Sequence, residues 1–101
     1  MGHNRGTRRI YLAWSGSGTY NQVLMLGREL RAMGVSILVE HQERSFKSAL
    51  KRADRLNVRW ALLVGEEELK SELYTLKDLA SGEQQALAAA EVAERVRKET
   101  P

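Results

Sequence analysis

Hydrophobic positions along the chain follow two periods in turn, and their alternation predicts the architecture. The run Arg9–Trp14 (Arg-Ile-Tyr-Leu-Ala-Trp) is nearly all apolar and rich in strand formers, and Ser15-Gly16-Ser17-Gly18 stops it, which predicts a buried strand. Thr19 is placed to cap a helix that carries Val23, Leu24, Gly27, Leu30 and Met33 at helical spacing, with Gly34 at its end. Residues 35–40 (Val-Ser-Ile-Leu-Val-Glu) read as a second strand. Ser45 is a good N-cap for a second helix, in which Phe46, Ala49, Leu50, Ala53 and Leu56 form one apolar stripe. Residues 59–64 give a third strand, stopped by Gly65. Residues 66–70 are long enough for one helical turn. Residues 73–79 and 84–88 read as two strands joined at Ser81-Gly82, where glycine supplies the positive φ of a tight hairpin turn. Residues 89–98 form a last amphipathic helix with Val92 and Val96 on one face.

Strand, helix, strand, helix, strand at these lengths makes two βαβ units, whose right-handed crossovers leave the first three strands parallel. The hairpin adds two antiparallel strands. The expected fold is therefore α/β: a three-layer domain with a five-stranded mixed sheet and three helices. One domain over residues 8–98 is expected, with short tails over 1–7 and 99–101. A chain of 101 residues suffices for one core and buries roughly 60–70% of its unfolded surface.

Composition narrows the chemistry. There is no cysteine, which excludes a disulfide framework, a thiolate metal site and a cysteine nucleophile, and fits a cytoplasmic setting. No apolar run approaches the ~20 residues that cross a bilayer, and no signal peptide is visible, so no membrane association is expected. The formal net charge of +3 hides an uneven distribution: residues 1–59 carry 11 Lys/Arg against 4 Asp/Glu, whereas residues 60–101 carry 5 against 9. A basic half on so small a domain is a footprint for a polyanion or an uneven solvated surface.

Several segments could carry function. Residues 15–19 have the outline of a phosphate loop, glycines between a strand and a helix N-terminus, but they lack the third glycine and the Gly-Lys-Ser/Thr ending. A plain βα turn fits equally. The second helix region holds Arg44, Lys47, Lys51, Arg52, Arg55 and Arg59; with the apolar stripe facing the sheet, these cations are expected to project outward, suited to a sugar-phosphate backbone or to solvent. His41 lies in a loop at the end of a parallel strand, the usual ligand side of such sheets. Glu66-Glu67-Glu68 complement a helix N-terminus or accept hydrogen bonds from base amino groups. Trp60 belongs to the core. Trp14, at a strand exit, is placed to stack half-exposed on an unpaired base.

In order along the chain, Leu30-Arg31-Ala32-Met33-Gly34-Val35, then Arg44-Ser45-Phe46-Lys47 with Leu50-Lys51-Arg52-Ala53-Asp54-Arg55-Leu56, then Leu63-Val64-Gly65-Glu66 with Glu68-Leu69, and the hairpin from Thr75 to Gln84 (Thr-Leu-Lys-Asp-Leu-Ala-Ser-Gly-Glu-Gln) resemble the C-terminal anticodon-binding domain of histidyl-tRNA synthetase, a class II aminoacyl-tRNA synthetase. The resemblance implies a module that binds the tRNA anticodon stem-loop and positions the tRNA for a separate catalytic domain. By position it implies tRNA contacts from Arg44, Lys51 and Glu66. With the local readings above, the expected tRNA-binding set is Trp14, Ser15, Ser17, Thr19, His41, Arg44, Lys47, Lys51, Arg55 and Glu66. No cofactor, metal or catalytic residue is expected in the domain, because the large antiparallel catalytic sheet of a class II synthetase does not fit in this length. The expected partners are tRNA, the parent catalytic domain and a second copy in a homodimer. The turn from Trp14 to Asn21 departs from the family's acidic or small-residue turn. Two other readings stand beside this one: a regulatory or dimerisation domain of a synthetase-like protein, and a phosphate- or nucleotide-binding α/β protein using residues 15–19.

Overall fold

A computed structural model describes residues 8–100. The elements follow as β1 (Arg9–Trp14), α1 (Tyr20–Ala32), β2 (Ser36–Val39), α2 (Phe46–Arg55), β3 (Trp60–Val64), α3 (Glu66–Ser71), β4 (Tyr74–Asp78), β5 (Gln84–Leu87) and α4 (Ala89–Glu99). The sheet order is β2-β1-β3-β4-β5. β1 lies parallel between β2 and β3, with Ile10 opposite both Ile37 and Trp60, and β4 and β5 continue antiparallel. The architecture is the expected α/β domain with a five-stranded mixed sheet. It has one helix more than expected, because residues 66–71 close a short helix of their own.

Side-chain alternation on the two central strands builds two cores. Ile10, Leu12, Trp14, Trp60, Leu62 and Val64 meet α1 and α4 on one face. Tyr11, Ala13, Ala61 and Leu63 meet Ala49 and Ala53 of α2 on the other. Alanine on both sides of that second seam lets α2 lie close to the sheet, and the larger Phe46, Leu50 and Leu56 close its margins. Both faces of β1 and β3 are covered, which is why these strands read as unbroken apolar runs.

The hairpin differs from the tight turn expected. Leu79 to Glu83 form a five-residue connection in which Asp78 N–H donates to Glu83 O (2.9 Å) and Gly82 N–H to Asp78 O (2.7 Å). Gly82 does hold the predicted positive φ, at 84°. Asp78 is buried, accepts from Ala80 N–H at 3.0 Å and takes the Arg59 guanidinium on both oxygens at 3.1 and 3.0 Å. Arg59 therefore points across the hairpin base, covering the Trp60 ring at 4.4 Å, and does not extend the α2 surface as expected. The last helix runs on to Glu99, and Thr100 is buried with its carbonyl accepting from Arg8 Nε at 2.8 Å. Residues 99 and 100 are thus part of the domain and not of a tail, because the helix end is latched to the start of β1. The expected tail over 1–7 lies outside the described residues.

Candidate nucleic-acid interface

Because β1, β2 and β3 are parallel, the connections that follow them emerge at one end of the sheet. Backbone hydrogen bonds fasten them together there: Ser15 N–H to Val64 O (3.0 Å), Glu40 N–H to Leu12 O (2.9 Å) and Arg44 N–H to Trp14 O (3.1 Å). The result is two adjoining clefts. One, about 470 Å³, is bounded by Ser15, Gly16, Ser45, Gly65 and Glu66. The other, about 400 Å³, lies between Ser17, Thr19, Glu66 and Lys70. Ser15, Ser17 and Glu66, far apart in sequence, share this surface as the strand order requires.

Glu40 organises the middle of the three connections. It is 3% exposed. Its Oε1 accepts from Tyr11 Oη at 2.6 Å and Arg52 Nε at 3.0 Å, and Arg44 Nε stands 3.0 Å from the same oxygen. The Arg44 contact is an ion pair by distance without hydrogen-bond direction, since one oxygen cannot align three donors. Oε2 accepts from Gln42 N–H at 3.2 Å. Burial alone would push this carboxyl up; the hydrogen bonds from Tyr11 and Gln42 and the adjoining Arg44 guanidinium outweigh it and hold the pKa down at about 2. The same environment, burial first and then the Glu40 hydrogen bond, drives the Tyr11 hydroxyl above its ordinary range. Above this hub the exposed His41 lies 3.8 Å from Oε2.

Helix α2 starts where the sequence predicts. Ser45 is extended (φ −64°, ψ 157°) and its hydroxyl accepts from Ser48 N–H at 3.2 Å. Lys47, Lys51 and Arg55 are exposed along it. Arg44 and Arg52 are not free outward cations as expected; the buried Glu40 draws their Nε atoms inward. A groove of about 270 Å³ runs along this face, bounded by Arg44, Lys47, Lys51, Arg52 and Arg55.

Two expected contact residues have other work. Trp14 is 9% exposed; its Nε1 donates to Glu40 O at 2.6 Å and its ring packs against Tyr20 at 5.1 Å. It pins the loop after β2 and offers no free face for stacking. Thr19 is buried and makes no side-chain cap on α1. Its hydroxyl donates to Gly16 O at 2.7 Å, tying the loop to itself. Sequence reasoning missed Glu40 and Glu43, and named Arg52 as a cation of the α2 face without its buried partner. For Glu40 the signal was available: a glutamate ending an apolar strand, beside a strand whose Tyr11 hydroxyl needed a partner.

The loop over 15–19 is set against phosphate. Gly16 N–H donates to Glu43 Oε2 at 2.6 Å. Gly16 has φ +115°, and a Cβ there would fall 2.9 Å from Glu66 Cγ and 3.1 Å from Glu66 Oε2. Glu43 thus already takes the Gly16 N–H, Glu66 lies against the same glycine, and their charge repels an anion. What the loop presents is acceptor oxygen, the complement of amino and imino donors on a base edge.

Similarity to known proteins places the fold in a family. A sequence model of the anticodon binding domain family matches residues 11–99, and the chain belongs to that family. It is 38% identical over 84 residues to the histidine–tRNA ligase of Laribacter hongkongensis, covering 82% of this chain and 20% of that protein. With the histidine–tRNA ligase of Thermotoga maritima it shares 35% identity over 94 residues, 89% of this chain and 22% of the other. The crystal structure of histidyl-tRNA synthetase from Nostoc sp. PCC 7120 superimposes with a TM-score of 0.80 at 25% identity, over 88% of this chain and 20% of that one. The RNA binding domain of threonyl-tRNA synthetase from Cryptosporidium parvum shares the fold, with a TM-score of 0.79 at 17% identity over 95% of this chain and 24% of that one. The chain spans about one fifth of the length of the curated relatives it matches. Among the described residues no helix is long and apolar enough to cross a membrane.

Proposed function

We propose that this domain binds the anticodon stem-loop of a tRNA, that of histidine above all, and holds it for a catalytic domain that performs the ligase chemistry. On this reading the domain by itself activates no amino acid. The observation that carries it is a division of labour: exposed cations run along α2, and the N-terminus of that helix adjoins clefts rimmed by Ser15, Ser17 and Glu66, with Glu43 held against Gly16. Lys47, Lys51 and Arg55 suit the phosphate backbone, which fixes register, and the carboxylates and loop amides suit base edges, which carry identity. His41 is exposed beside Glu40. A nucleotide pocket at residues 15–19 is disfavoured by the carboxylates already against Gly16.

The test is a titration of fluorescent anticodon stem-loops by anisotropy across a salt series. The histidine stem-loop is expected to bind saturably and more tightly than one with a changed anticodon, with log K falling linearly in log salt. Lys51→Gln should weaken all stem-loops alike and flatten the slope by about 0.7–0.9. Glu66→Gln should change the preference among anticodons. Absence of saturable binding at low salt sinks the proposal.

A further inference from the structure

We infer that Arg44 and Arg52 form a phosphodiester clamp on the α2 face, and that the buried Glu40 is its positioning residue. The inference rests on the reading of this face as RNA-binding and adds two residues to it, Glu40 and Arg52. Its basis is the placement of the two guanidinium groups around one buried carboxylate. Both Nε atoms lie 3.0 Å from one oxygen, Glu40 Oε1. A guanidinium is a planar fork with a side-on and an end-on pair of donors, so spending the Arg52 Nε–H on the buried Glu40 leaves the end-on pair of Nη nitrogens to meet a ligand. Both arginines line the groove together with Lys47, Lys51 and Arg55. Arg44 and Arg52 keep 25% and 38% of their side-chain surface exposed, against 2% for Glu40. Arg44 Nη1 is steadied further by donating to Ser48 Oγ at 3.2 Å. Glu40 is itself fixed by Tyr11 Oη and Gln42 N–H, so the clamp is set before a ligand arrives. Paired, preoriented guanidinium groups are suited to the planar geometry of phosphate oxygens, where a lysine acts only as a point charge.

The reading makes a prediction whose sign is against simple charge counting. Glu40→Gln removes a negative charge next to a polyanion site, and electrostatics alone would then tighten RNA binding. If Glu40 positions the clamp, Glu40→Gln weakens stem-loop binding about three- to tenfold instead, because two guanidinium groups must be reordered on binding. Arg52→Gln should weaken binding about tenfold and flatten the salt slope by about 0.7–0.9. Arg52→Lys keeps the charge and loses the fork, so it should lose about fivefold with the slope nearly kept. This variant decides the matter if Glu40→Gln does not fold. Tighter binding by Glu40→Gln, or wild-type affinity in Arg52→Lys, overturns the clamp. Should no stem-loop bind, the RNA reading fails separately, and titration of the 101-residue chain with inorganic phosphate still tests the clamp. The Arg44 and Arg52 Nε–H signals in nitrogen–proton NMR spectra are then expected to move first; signals that stay fixed overturn it.

Discussion

Asp78→Asn is the most direct test of how the hairpin is locked to the sheet. In the folded state Asp78 is buried and is gripped by both arms of Arg59 and by Ala80 N–H. Burial would raise the carboxyl, but the hydrogen bonds from Arg59, Ala80 and Ser81 prevail and lower it from 3.8 to about 2. A folded pKa below the unfolded one means that the ionised form contributes stability above pH ~4, and that this contribution fades as the pH falls toward about 2. At about 1.4 kcal/mol per pH unit the gap is worth about 2–3 kcal/mol. Asparagine keeps the shape and one acceptor but not the charge. At pH 7 the variant should therefore be less stable by about 2 kcal/mol, with Arg59 retaining Glu99 at 2.8 Å as partner. In a domain of this size that lowers Tm by about 10–15 °C. The assay is urea unfolding of both proteins from pH 7 down to pH 2.5. The difference in stability should be largest at neutral pH and shrink steadily below pH ~4, since the wild type is then losing what the variant never had. A difference that stays constant over that range, or is under about 0.5 kcal/mol at pH 7, refutes the argument.

The other predictions concern the recognition end of the sheet. Glu40 has the same sign of linkage, from 4.5 down to about 2, so Glu40→Gln should likewise flatten the loss of stability below pH ~4.5 in acid titrations of urea midpoints. Ser45→Ala removes the acceptor for Ser48 N–H and should cost about 1 kcal/mol in the same unfolding assay. Gly16→Ala places a Cβ in the left-handed region against Glu66; stem-loop binding, read by anisotropy, should change in anticodon preference more than in salt slope. Trp14→Phe removes the hydrogen bond to Glu40 O and should destabilise by about 1 kcal/mol while leaving the anticodon preference intact.

The fold was legible in the sequence where burial is decided locally. β1 and β3 carry unbroken apolar runs because helices cover both their faces, and α2 declares itself by the Ser45 cap and its alanine stripe. Boundaries moved by a residue or two at β2, β4 and β5, where ladder pairing and not composition sets the end. The site was less legible. Arg44 and Arg52 look like any other helix cations in one dimension. Their inward turn depends on Glu40, which is itself fixed by Tyr11 from a neighbouring strand, 29 residues away. Trp14 was misjudged for the same reason: its indole partner, the Glu40 carbonyl, comes from another strand's end. Thr19 looked like a cap by residue type, but the backbone there is already helical (φ −90°, ψ −13°), which turns its hydroxyl back to Gly16.

The contact between Arg8 and Thr100 has a bearing on how the domain can be handled. The start of β1 and the end of α4 meet at one corner, and that corner lies at the opposite end of the sheet from the loops that follow the parallel strands. A short linker could join residue 100 to residue 8, and the exposed hairpin loop at Ser81-Gly82 offers a new opening. Such a circular permutant should fold and keep the loops after β1, β2 and β3 untouched. The domain is thus laid out like a tool with its handle at the back: the described ends at residues 8 and 100 sit together, away from the loops that follow β1, β2 and β3.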